Sequence, residues 1–322
     1  MKLCTYKIKQ SDKELIALVL DNKLLNLNNL FGDINLTELV QKDKWQNKVD
    51  NFLKDGNGTF HNIEDVILKS PIPKPNSFRD AYAFRQHVET CRLNRGADMV
   101  KEFDDFPVFY FSNHNAIFGP NESIKCMPSH FMQLDYELEF AILIGKEGEN
   151  ILAKDAGDYI AGFMILNDFS ARDLQKKEMK LNLGPAKGKD FASVLGPYLV
   201  TPDEIKDNLI SKDKNGSKYS LEMRCYVNGE LLSSGNTKNM NWTFEQIIER
   251  ASYGAKLYPG DIIGSGTVGT GCLLELNGTR KLENAKHKDV WLKEGDVVSL
   301  KIDGLGETSN KIIAKSTKYM IK

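Results

Sequence analysis

The sequence predicts a mainly β protein with some α-helix (α+β), made of a small N-terminal α+β domain and a larger, mainly β domain. The chain has 322 residues, and at about 150 residues per domain this length suits two domains. Prolines at positions 71, 73 and 75 prevent a regular helix, so residues 71–76 predict a stiff linker. Strand patterns then predominate. We therefore predict domains at residues 1–70 and 77–322.

The first domain is predicted to begin with a hairpin and to continue with a helix. Apolar runs at residues 15–20 and 24–27 flank a short polar turn, which is typical of two antiparallel strands. Asn35 is a suitable N-cap, and apolar residues follow it at helical spacing as far as Leu53. These patterns predict a single helix over this second segment.

Most elements predicted for the second domain are strands. Residues 134–144 alternate, residues 160–166 are continuously apolar, and residues 222–232 surround Asn228-Gly229, a pair favoured in two-residue turns. Three further strands are predicted, at 262–264, 273–276 and 297–302. Helices are predicted at 78–94, from Ser170 with a variant capping box, and from Thr243 with Gln246 completing its box.

Charge and hydropathy exclude several functional classes. Lysines and arginines number 43 against 44 aspartates and glutamates, for a net charge of -1. Such a balance gives no basic field for nucleic acid or an anionic membrane. The N-terminus is polar and the longest apolar run covers only residues 15–20, far short of a secretory signal or a membrane span. We therefore expect a cytoplasmic protein that binds neither nucleic acid nor a membrane.

The cysteines predict free thiols. They are odd in number, scattered and never arranged as C-x-x-C, at Cys4, Cys91, Cys126, Cys225 and Cys272. This usage is typical of a reducing compartment and argues against a structural zinc site. No Cys–His nucleophile pair and no nucleophile elbow are recognisable, and neither glycine-rich loop has the spacing of a P-loop or a Rossmann turn.

A strand with three acids is the strongest local signal for chemistry. Asp135, Glu137 and Glu139 alternate within residues 134–143, so they are predicted to share one face, with neighbours about 6.6 Å apart. Two carboxylates at that distance can converge on a cation. The alternative is a solvent-facing strand, but the following residues are apolar on both faces, which favours burial and a counter-charge. Both interpretations are open from the strand alone.

Two further groups of residues are candidates for a functional site, and each also has an ordinary structural interpretation. Asp168 ends an apolar strand, and Arg172 and Gln175 follow on one helical face. An ordinary aspartate in a turn, followed by a solvent-exposed helix, would give the same sequence pattern. Asp80 and His87 lie seven residues apart, on one face of the predicted helix and separated by about 10 Å. They suit opposite ends of a pocket, or a polar helix surface. The histidines at 61, 130 and 287 are interpreted as surface residues, and that at 114 is undecided.

Taken together, these residues resemble the fumarylacetoacetase (fumarylacetoacetate hydrolase) family. The resemblance covers most of the chain after the linker, with the motifs in family order. They are D-x-Y-x-x-R-Q-H (80–87), L-D-x-E-L-E (134–139), N-D-x-S-A-R-D-x-Q-K (167–176), L-G-P-x-x-G-K (183–189), G-D-I-I-G-S-G-T (260–267) and L-E-L (274–276). The resemblance implies a distorted β-roll catalytic domain of the fumarylacetoacetase type, paired as a homodimer.

The resemblance also implies a role for each candidate residue. Metal ligands would be Asp80, Glu137, Glu139 and Asp168, an all-oxygen set that suits Mg²⁺ or Ca²⁺, with Mn²⁺ possible, and argues against zinc. Catalysis would be carried by His87 as base, oriented by Glu275, with oxyanion stabilisation by Arg172, Gln175 and Lys189; Tyr82 and Thr267 would contact substrate. The implied reaction is hydrolysis of a carbon–carbon bond in a 1,3-dicarbonyl acid such as fumarylacetoacetate or another acylpyruvate, as in aromatic amino acid catabolism.

Some family positions differ, and other functions stay open. Met179 replaces a substrate-contacting tyrosine, and Asn113 stands where another family tyrosine loosely aligns, so the substrate is less well supported than the catalytic groups. Relatives in the family decarboxylate, dehydrate or isomerise related keto acids at the same kind of metal site, although many lack the equivalent of His87. A non-catalytic calcium-binding β-domain is the alternative from a different class.

Overall fold

The computed structural model of the chain describes residues 1–56, 58–317, 319 and 321. Within them the strands are β1 Lys2–Ile8, β2 Glu14–Leu20, β3 Lys23–Asn26, β4 Phe60–Asn62, β5 Val66–Lys69, β6 Ser77–Ala81, β7 Phe109–Phe111, β8 Ile117–Phe118, β9 Ile124–Cys126, β10 Leu134–Asp135, β11 Leu138–Ile144, β12 Ile160–Asp168, β13 Ser170–Ala171, β14 Ser193–Val200, β15 Leu209–Asp213, β16 Gly216–Tyr219, β17 Glu222–Val227, β18 Glu230–Asn236, β19 Asp261–Gly264, β20 Val297–Ile302 and β21 Gly306–Ala314.

Short helices connect these strands. The α-helices are α1 Asn28–Phe31, α2 Leu36–Val40, α3 Trp45–Asp55, α4 Arg85–Leu93, α5 Ala153–Ala156, α6 Arg172–Glu178, α7 Phe244–Ser252 and α8 Leu273–Glu283. Single 3₁₀ segments lie at Ile63–Asp65, Lys101–Asp104, Pro128–Met132, Gly157–Tyr159, Met179–Leu181, Pro202–Asn208 and Thr237–Asn239. The predicted α+β class with a mainly β body is confirmed.

One large sheet runs through both predicted domains. Its order is β4-β3-β2-β1-β14-β12-β11-β19-β6-β7, with β5 on β1 and β8 on β14, and a second sheet has the order β18-β17-β20-β21-β9. The N-terminal strand β1 pairs with β14 of the body. Residues 71–76 are irregular, and Pro71 and Ile72 within them are buried. The division into two domains stays a prediction, but the large sheet continues from one predicted domain into the other through the pairing of β1 with β14.

The central strand β11 is buried on both faces. Phe140 and Ile142 belong to an apolar cluster shared with β17, β20 and α7, whereas Ala141 and Leu143 belong to a cluster shared with α2 and α3. A strand that is buried on both faces typically has a continuously apolar sequence. The acids at its start therefore enter the protein interior, which favours the buried interpretation of that strand.

Several local predictions are confirmed. Strands β2 and β3 form the N-terminal hairpin. The hairpin β17–β18 turns at Asn228 and Gly229, whose φ angles of 53° and 85° are those of the turn that favours this pair. Thr243 and Gln246 form the reciprocal capping box of α7. Each of these predictions depends on interactions between residues close in sequence.

Four predicted elements are wrong, and each depended on an ambiguous short pattern. The helix from Asn35 begins as predicted, with Asn35 as its N-cap, but it is two helices, because Lys44 takes a left-handed conformation (φ 50°) between them. The segment predicted as one helix over 78–94 starts as strand β6, paired with β19, and becomes helical only at α4. Short apolar runs of this kind do not distinguish a strand from a buried helix.

The other two errors concern segments beside the catalytic candidates. Ser170 does not cap α6; it pairs with Asp135 in a two-stranded ladder, and its hydroxyl donates to the Asp168 carbonyl. Residues 273–276, predicted as a strand, form the first turn of α8. His130, interpreted as a surface residue, is 6% exposed. In each case contacts remote in sequence decide the conformation.

Candidate active site

Three carboxylates converge where the start of β11 and the end of β6 lie close together in the large sheet. Asp80 lies on β6, and Glu137 and Glu139 lie at the start of β11; each offers an oxygen within 4.8 Å of the others. All three side chains are buried. Gly264 on β19 pairs with Asp80, and a Cβ at Gly264 would lie 2.3 Å from Asp80 Oδ1. A glycine at this position therefore makes room for the cluster.

Asp135 does not join the cluster, which corrects the prediction that three acids share one face. Strand β10 ends at Asp135 and β11 begins at Leu138, so the alternation is interrupted between the first and second acids. The Asp135 carboxylate instead accepts hydrogen bonds from the backbone N–H groups of Leu273 and Leu274, at 2.7 and 3.0 Å. It also accepts from Arg172 Nε at 2.8 Å. Asp135 thus anchors the start of α8.

Asp168 lies beside the cluster and is held by three donors. Lys189 Nζ donates to Asp168 Oδ2 at 2.9 Å, and Ser193 Oγ donates to Oδ1 at 3.0 Å. The Tyr110 hydroxyl is 2.5 Å from Asp168 Oδ2 and 3.2 Å from Asp80 Oδ2, so it bridges the two acids. Tyr110, directly opposite Asp80 in the β6–β7 ladder, was not predicted, because it lies within an apolar run that gives no sign of a site.

The pKa shifts of these buried acids, together with one unpartnered oxygen, favour a bound cation. Burial, followed by the nearby Asp168, raises the pKa of Asp80 to about 7, and burial with the neighbouring acids raises the pKa of Glu139 well above its ordinary value. Glu137 is the exception: Lys189 and Arg172 outweigh its burial and hold its pKa below the usual range. In the described part of the chain, Glu139 Oε2 finds no hydrogen-bond partner. A buried, unpartnered carboxylate oxygen fits an oxygen-ligated divalent cation.

His87 and Glu275 form the predicted pair. His87 Nδ1 lies 2.6 Å from Glu275 Oε2, and Glu275 Oε1 accepts from the backbone N–H of Thr270 at 2.9 Å. Burial alone would lower the pKa of His87, but Cys91 and Glu275 outweigh it and raise that pKa to about 10. A carboxylate at Nδ1 fixes the ring orientation and leaves Nε2 for chemistry.

A thiol adjoins this pair, and the sequence analysis did not single it out. Cys91 Sγ lies 3.8 Å from His87 Nε2 and 3.9 Å from Nδ1. His87 and Cys91 are one turn apart on α4, a spacing that brings side chains together on one helix face. Without knowledge of where the helix begins, this i, i+4 relation carries little weight in a sequence.

The predicted oxyanion donors are present but engaged with the carboxylates. Arg172 donates to Asp135, to Glu137 Oε1 at 2.8 Å and to Gln175 Oε1 at 3.0 Å. Lys189 contacts Glu137 Oε2 as well as Asp168. In this arrangement both cations compensate buried acids. Their predicted action on the substrate stays a prediction.

A single cavity of ≈ 1020 Å³ joins the groups described above. Its lining includes Asp80, Tyr82, His87, Glu137, Glu139, Arg172, Gln175, Lys189 and Thr267, together with Cys91, Tyr110, Met179 and Trp291. Tyr82 packs edge-on against His87, with ring centroids 6.0 Å apart. Thr267 Oγ1 donates to Glu139 Oε1 at 3.1 Å, so it orients a carboxylate. The structure brings the other predicted residues together in this lining, but Glu275 and Asp168 are not part of it. Glu275 contacts His87, and Asp168 contacts Lys189 and Tyr110.

The chain is similar in sequence to proteins named oxaloacetate tautomerases. It is 30% identical to one from Bacillus subtilis over 285 residues, 87% of this chain and 83% of the relative. It is 32% identical to a mitochondrial one from Xenopus laevis over 260 residues, 80% and 72% of the two chains. A fumarylacetoacetate hydrolase domain-containing protein 2 homolog of Dictyostelium discoideum is 29% identical over 97% of both chains.

Solved structures agree on the fold. A fumarylacetoacetate hydrolase of Exiguobacterium antarcticum superposes with a TM-score of 0.73 at 25% identity. A maleylpyruvate hydrolase of a Sphingobium species, in complex with manganese(II) and pyruvate, superposes with a TM-score of 0.72 at 21% identity. Each comparison covers 98% of this chain and 100% of the other. Among the described residues, no helix has the length and apolar character to cross a membrane.

The family itself follows from the match over most of the chain. The sequence profile described as fumarylacetoacetate (FAA) hydrolase C-terminal matches residues 76–313. That range contains every predicted site residue, from Asp80 to Glu275. The activities of enzymes in this family are consistent with a metal-dependent reaction on a dicarbonyl acid. The chain belongs to the fumarylacetoacetate hydrolase family.

Proposed function

We propose that the chain interconverts the enol and keto forms of a small 2-oxo dicarboxylic acid, with His87 moving the proton and a divalent cation as cofactor. One observation carries the proposal: His87, which is paired with Glu275, lines the cavity that also holds the three-carboxylate cluster. A base beside a cation site suits removal of a proton next to a carbonyl. The relatives named as oxaloacetate tautomerases support this choice of reaction.

The cation would be held by Asp80, Glu137 and Glu139, with Asp168 as the predicted fourth ligand. When bound, it would polarise the oxygens of a chelating 2-oxo acid and make the adjacent C–H group more acidic. The all-oxygen donors suit Mg²⁺, Ca²⁺ or Mn²⁺. Thr267 orients Glu139 through its hydroxyl, and Tyr110 orients Asp80 and Asp168.

His87 would take the proton from carbon and deliver it to the enolate oxygen; in the reverse direction it would carry the enol proton back to carbon. Glu275 keeps the Nδ1 proton in place, so Nε2 is the acceptor. His87 must be neutral to act as a base, and its raised pKa opposes this. A divalent charge at the neighbouring carboxylates would lower that pKa again. We therefore expect proton transfer to depend on the cation electrostatically as well as through substrate binding.

Hydrolysis of a carbon–carbon bond in an acylpyruvate is the second candidate. The same pair can take a proton from water, whose oxygen adds to a carbonyl carbon; the carbon–carbon bond then breaks and the leaving carbon is protonated. The size of the cavity, ≈ 1020 Å³, favours this candidate, because it exceeds the needs of a four-carbon acid. Arg172, Gln175 and Lys189 would then stabilise the tetrahedral oxyanion.

Product analysis separates these candidates. The purified protein is mixed with enol-oxaloacetate, and separately with acylpyruvates including fumarylacetoacetate, in Mg²⁺ or Mn²⁺ and after EDTA. Metal-dependent loss of the enol absorbance with the keto acid as sole product supports the tautomerase. Two acid products from an acylpyruvate support the hydrolase, and carbon dioxide or water released from a 2-keto acid supports a lyase. Cation binding without any turnover would support the non-catalytic alternative.

A histidine variant tests the proposed role of the base. His87→Ala should lower kcat by on the order of 10² to 10⁴-fold while calorimetry finds the Mg²⁺ affinity nearly unchanged. His114→Ala, in the half-buried loop after β7, is the matched control and should retain full activity. Full activity in His87→Ala would remove the histidine from either mechanism.

A further inference from the structure

Three different ligand types meet at His87, between helices α4 and α8. His87 and Cys91 come from α4, and Glu275 comes from α8; one nitrogen, one sulfur and one oxygen lie within 4.8 Å of one another. All three residues are buried. The helices are tied by a hydrogen bond from Asn94 Nδ2 to the Glu275 carbonyl at 3.0 Å. This contact holds the two helices, and the three residues on them, next to one another without a ligand.

We propose that Cys91, His87 and Glu275 form a second cation site, selective for thiophilic divalent ions such as Zn²⁺. Sulfur and imidazole ligands select zinc and its neighbours, whereas Mg²⁺ and Ca²⁺ prefer oxygen. The carboxylate cluster at Asp80, Glu137 and Glu139 offers oxygen alone. The two sites would therefore take different ions from the same solution.

To accept zinc, the contact between His87 and Glu275 would have to lengthen, and that between Cys91 and His87 would have to shorten slightly. Tetrahedral zinc would place sulfur and nitrogen about 3.6 Å apart and nitrogen and oxygen about 3.3 Å apart. The observed distance from Cys91 Sγ to His87 Nδ1 is 3.9 Å, and that from Nδ1 to Glu275 Oε2 is 2.6 Å. The cation would replace the proton between His87 and Glu275. That proton and the thiol proton of Cys91 are released to solvent on binding.

An ion can reach this site through the main cavity. Both His87 and Cys91 line it, so the fourth coordination position would be open to water. Three protein ligands with one open position are common for accessible zinc sites. Inhibition of turnover by zinc, unlike the binding itself, rests on the proposed function, because the ion would occupy the pair that moves the proton.

X-ray absorption of the zinc-loaded wild-type protein provides the first test. The protein is kept in excess Mg²⁺, which fills the carboxylate cluster, and receives one equivalent of Zn²⁺. A sulfur neighbour at about 2.3 Å from zinc is the expected result. An all-oxygen and nitrogen shell would overturn the proposal. This measurement requires no variant and no substrate, so it stands even if the proposed catalytic function fails.

Cobalt(II) identifies the cysteine. In Mg²⁺-saturated wild-type protein, Co²⁺ should give the near-ultraviolet absorption of a thiolate–cobalt bond; Cys91→Ala should lose that band and bind Zn²⁺ at least about tenfold more weakly. Cys126→Ala is the matched control, since Cys126 is an equally buried free thiol on β9, and it should retain the band. A band that persists in Cys91→Ala, or disappears in Cys126→Ala, would contradict the assignment.

Discussion

Asp135 offers the sharpest test of how the site is assembled. Its buried carboxylate joins two catalytic elements: it accepts from Arg172 Nε at 2.8 Å and from the first backbone N–H groups of α8. Helix α8 carries Glu275, the partner of His87. Asp135→Asn keeps the shape of the side chain but replaces one acceptor oxygen by an NH₂ donor. We expect this variant to be less stable and less active.

The magnitude follows from the hydrogen bonds that the substitution removes. Asp135 is 0% exposed, so water cannot replace a missing acceptor. If the remaining oxygen stays on Leu273, the new NH₂ group faces the donors of Leu274 and Arg172. Hydrogen bonds to a charged group contribute about 1.5–3 kcal/mol, and breaking a buried ion pair costs about 3–5 kcal/mol. We therefore expect the free energy of unfolding to fall by about 3 kcal/mol. Displacement of Arg172 and Glu275 should lower kcat by roughly 10- to 100-fold.

Urea denaturation followed by circular dichroism measures the stability loss, and an enol-loss assay measures kcat. Asp173→Asn on α6 is the matched control, because Asp173 pairs with the largely exposed Lys177 and such surface pairs contribute about 0–1 kcal/mol. The control should lie within about 0.5 kcal/mol of the wild type. If Asp135→Asn is as stable as the control, the carboxylate does not hold the two elements together and the reasoning fails.

Two further predictions concern the cation cluster. Glu139→Gln should raise the melting temperature in EDTA at neutral pH. Burial and the neighbouring acids raise the pKa of Glu139, so the folded protein must keep this carboxyl protonated, whereas an amide is neutral at no such cost. The variant should also shrink the further rise caused by Mg²⁺; an unchanged Mg²⁺ effect in differential scanning calorimetry would argue against Glu139 as a ligand. In EDTA, the wild type should lose stability as pH rises from about 4 to 7. The reason is that burial, followed by Asp168, raises the pKa of Asp80 to about 7, so the folded state keeps a proton that the unfolded chain releases. Asp80→Asn should weaken this pH dependence, and an identical profile in the variant would contradict the assignment to Asp80.

Elements specified by local interactions were predictable from the sequence. The capping box of Thr243 and Gln246 and the turn at Asn228-Gly229 involve neighbouring residues, and both are present. Segments whose conformation depends on distant partners were not. Residues 78–81 form a strand because β19 pairs with them, and residues 273–276 form a helical turn whose first N–H groups are satisfied by Asp135. No pattern within either segment contains that information.

The site divides in the same way. The candidate ligands and the His87–Glu275 pair were found because family motifs supply spatial relations that the chain itself does not state. Tyr110, Cys91 and the anchoring role of Asp135 were missed. Each lies within an otherwise ordinary pattern and becomes significant through contacts with residues far away in sequence. A tyrosine in an apolar run or a cysteine on a helix has no distinctive spacing, so the fold had to be known first.

The hydrogen-bond and ion-pair partners of the four carboxylates indicate where a cation would be attracted most strongly. Asp168 already accepts from Tyr110, Lys189 and Ser193, and Glu137 is shared between Arg172 and Lys189. Glu139, by contrast, has one oxygen on Thr267 and the other without a partner among the described residues. A buried charge attracts a counter-ion in proportion to what its surroundings leave uncompensated. The electrostatic demand is therefore greatest between Asp80 and Glu139, and we expect these two residues to determine cation affinity more strongly than Asp168.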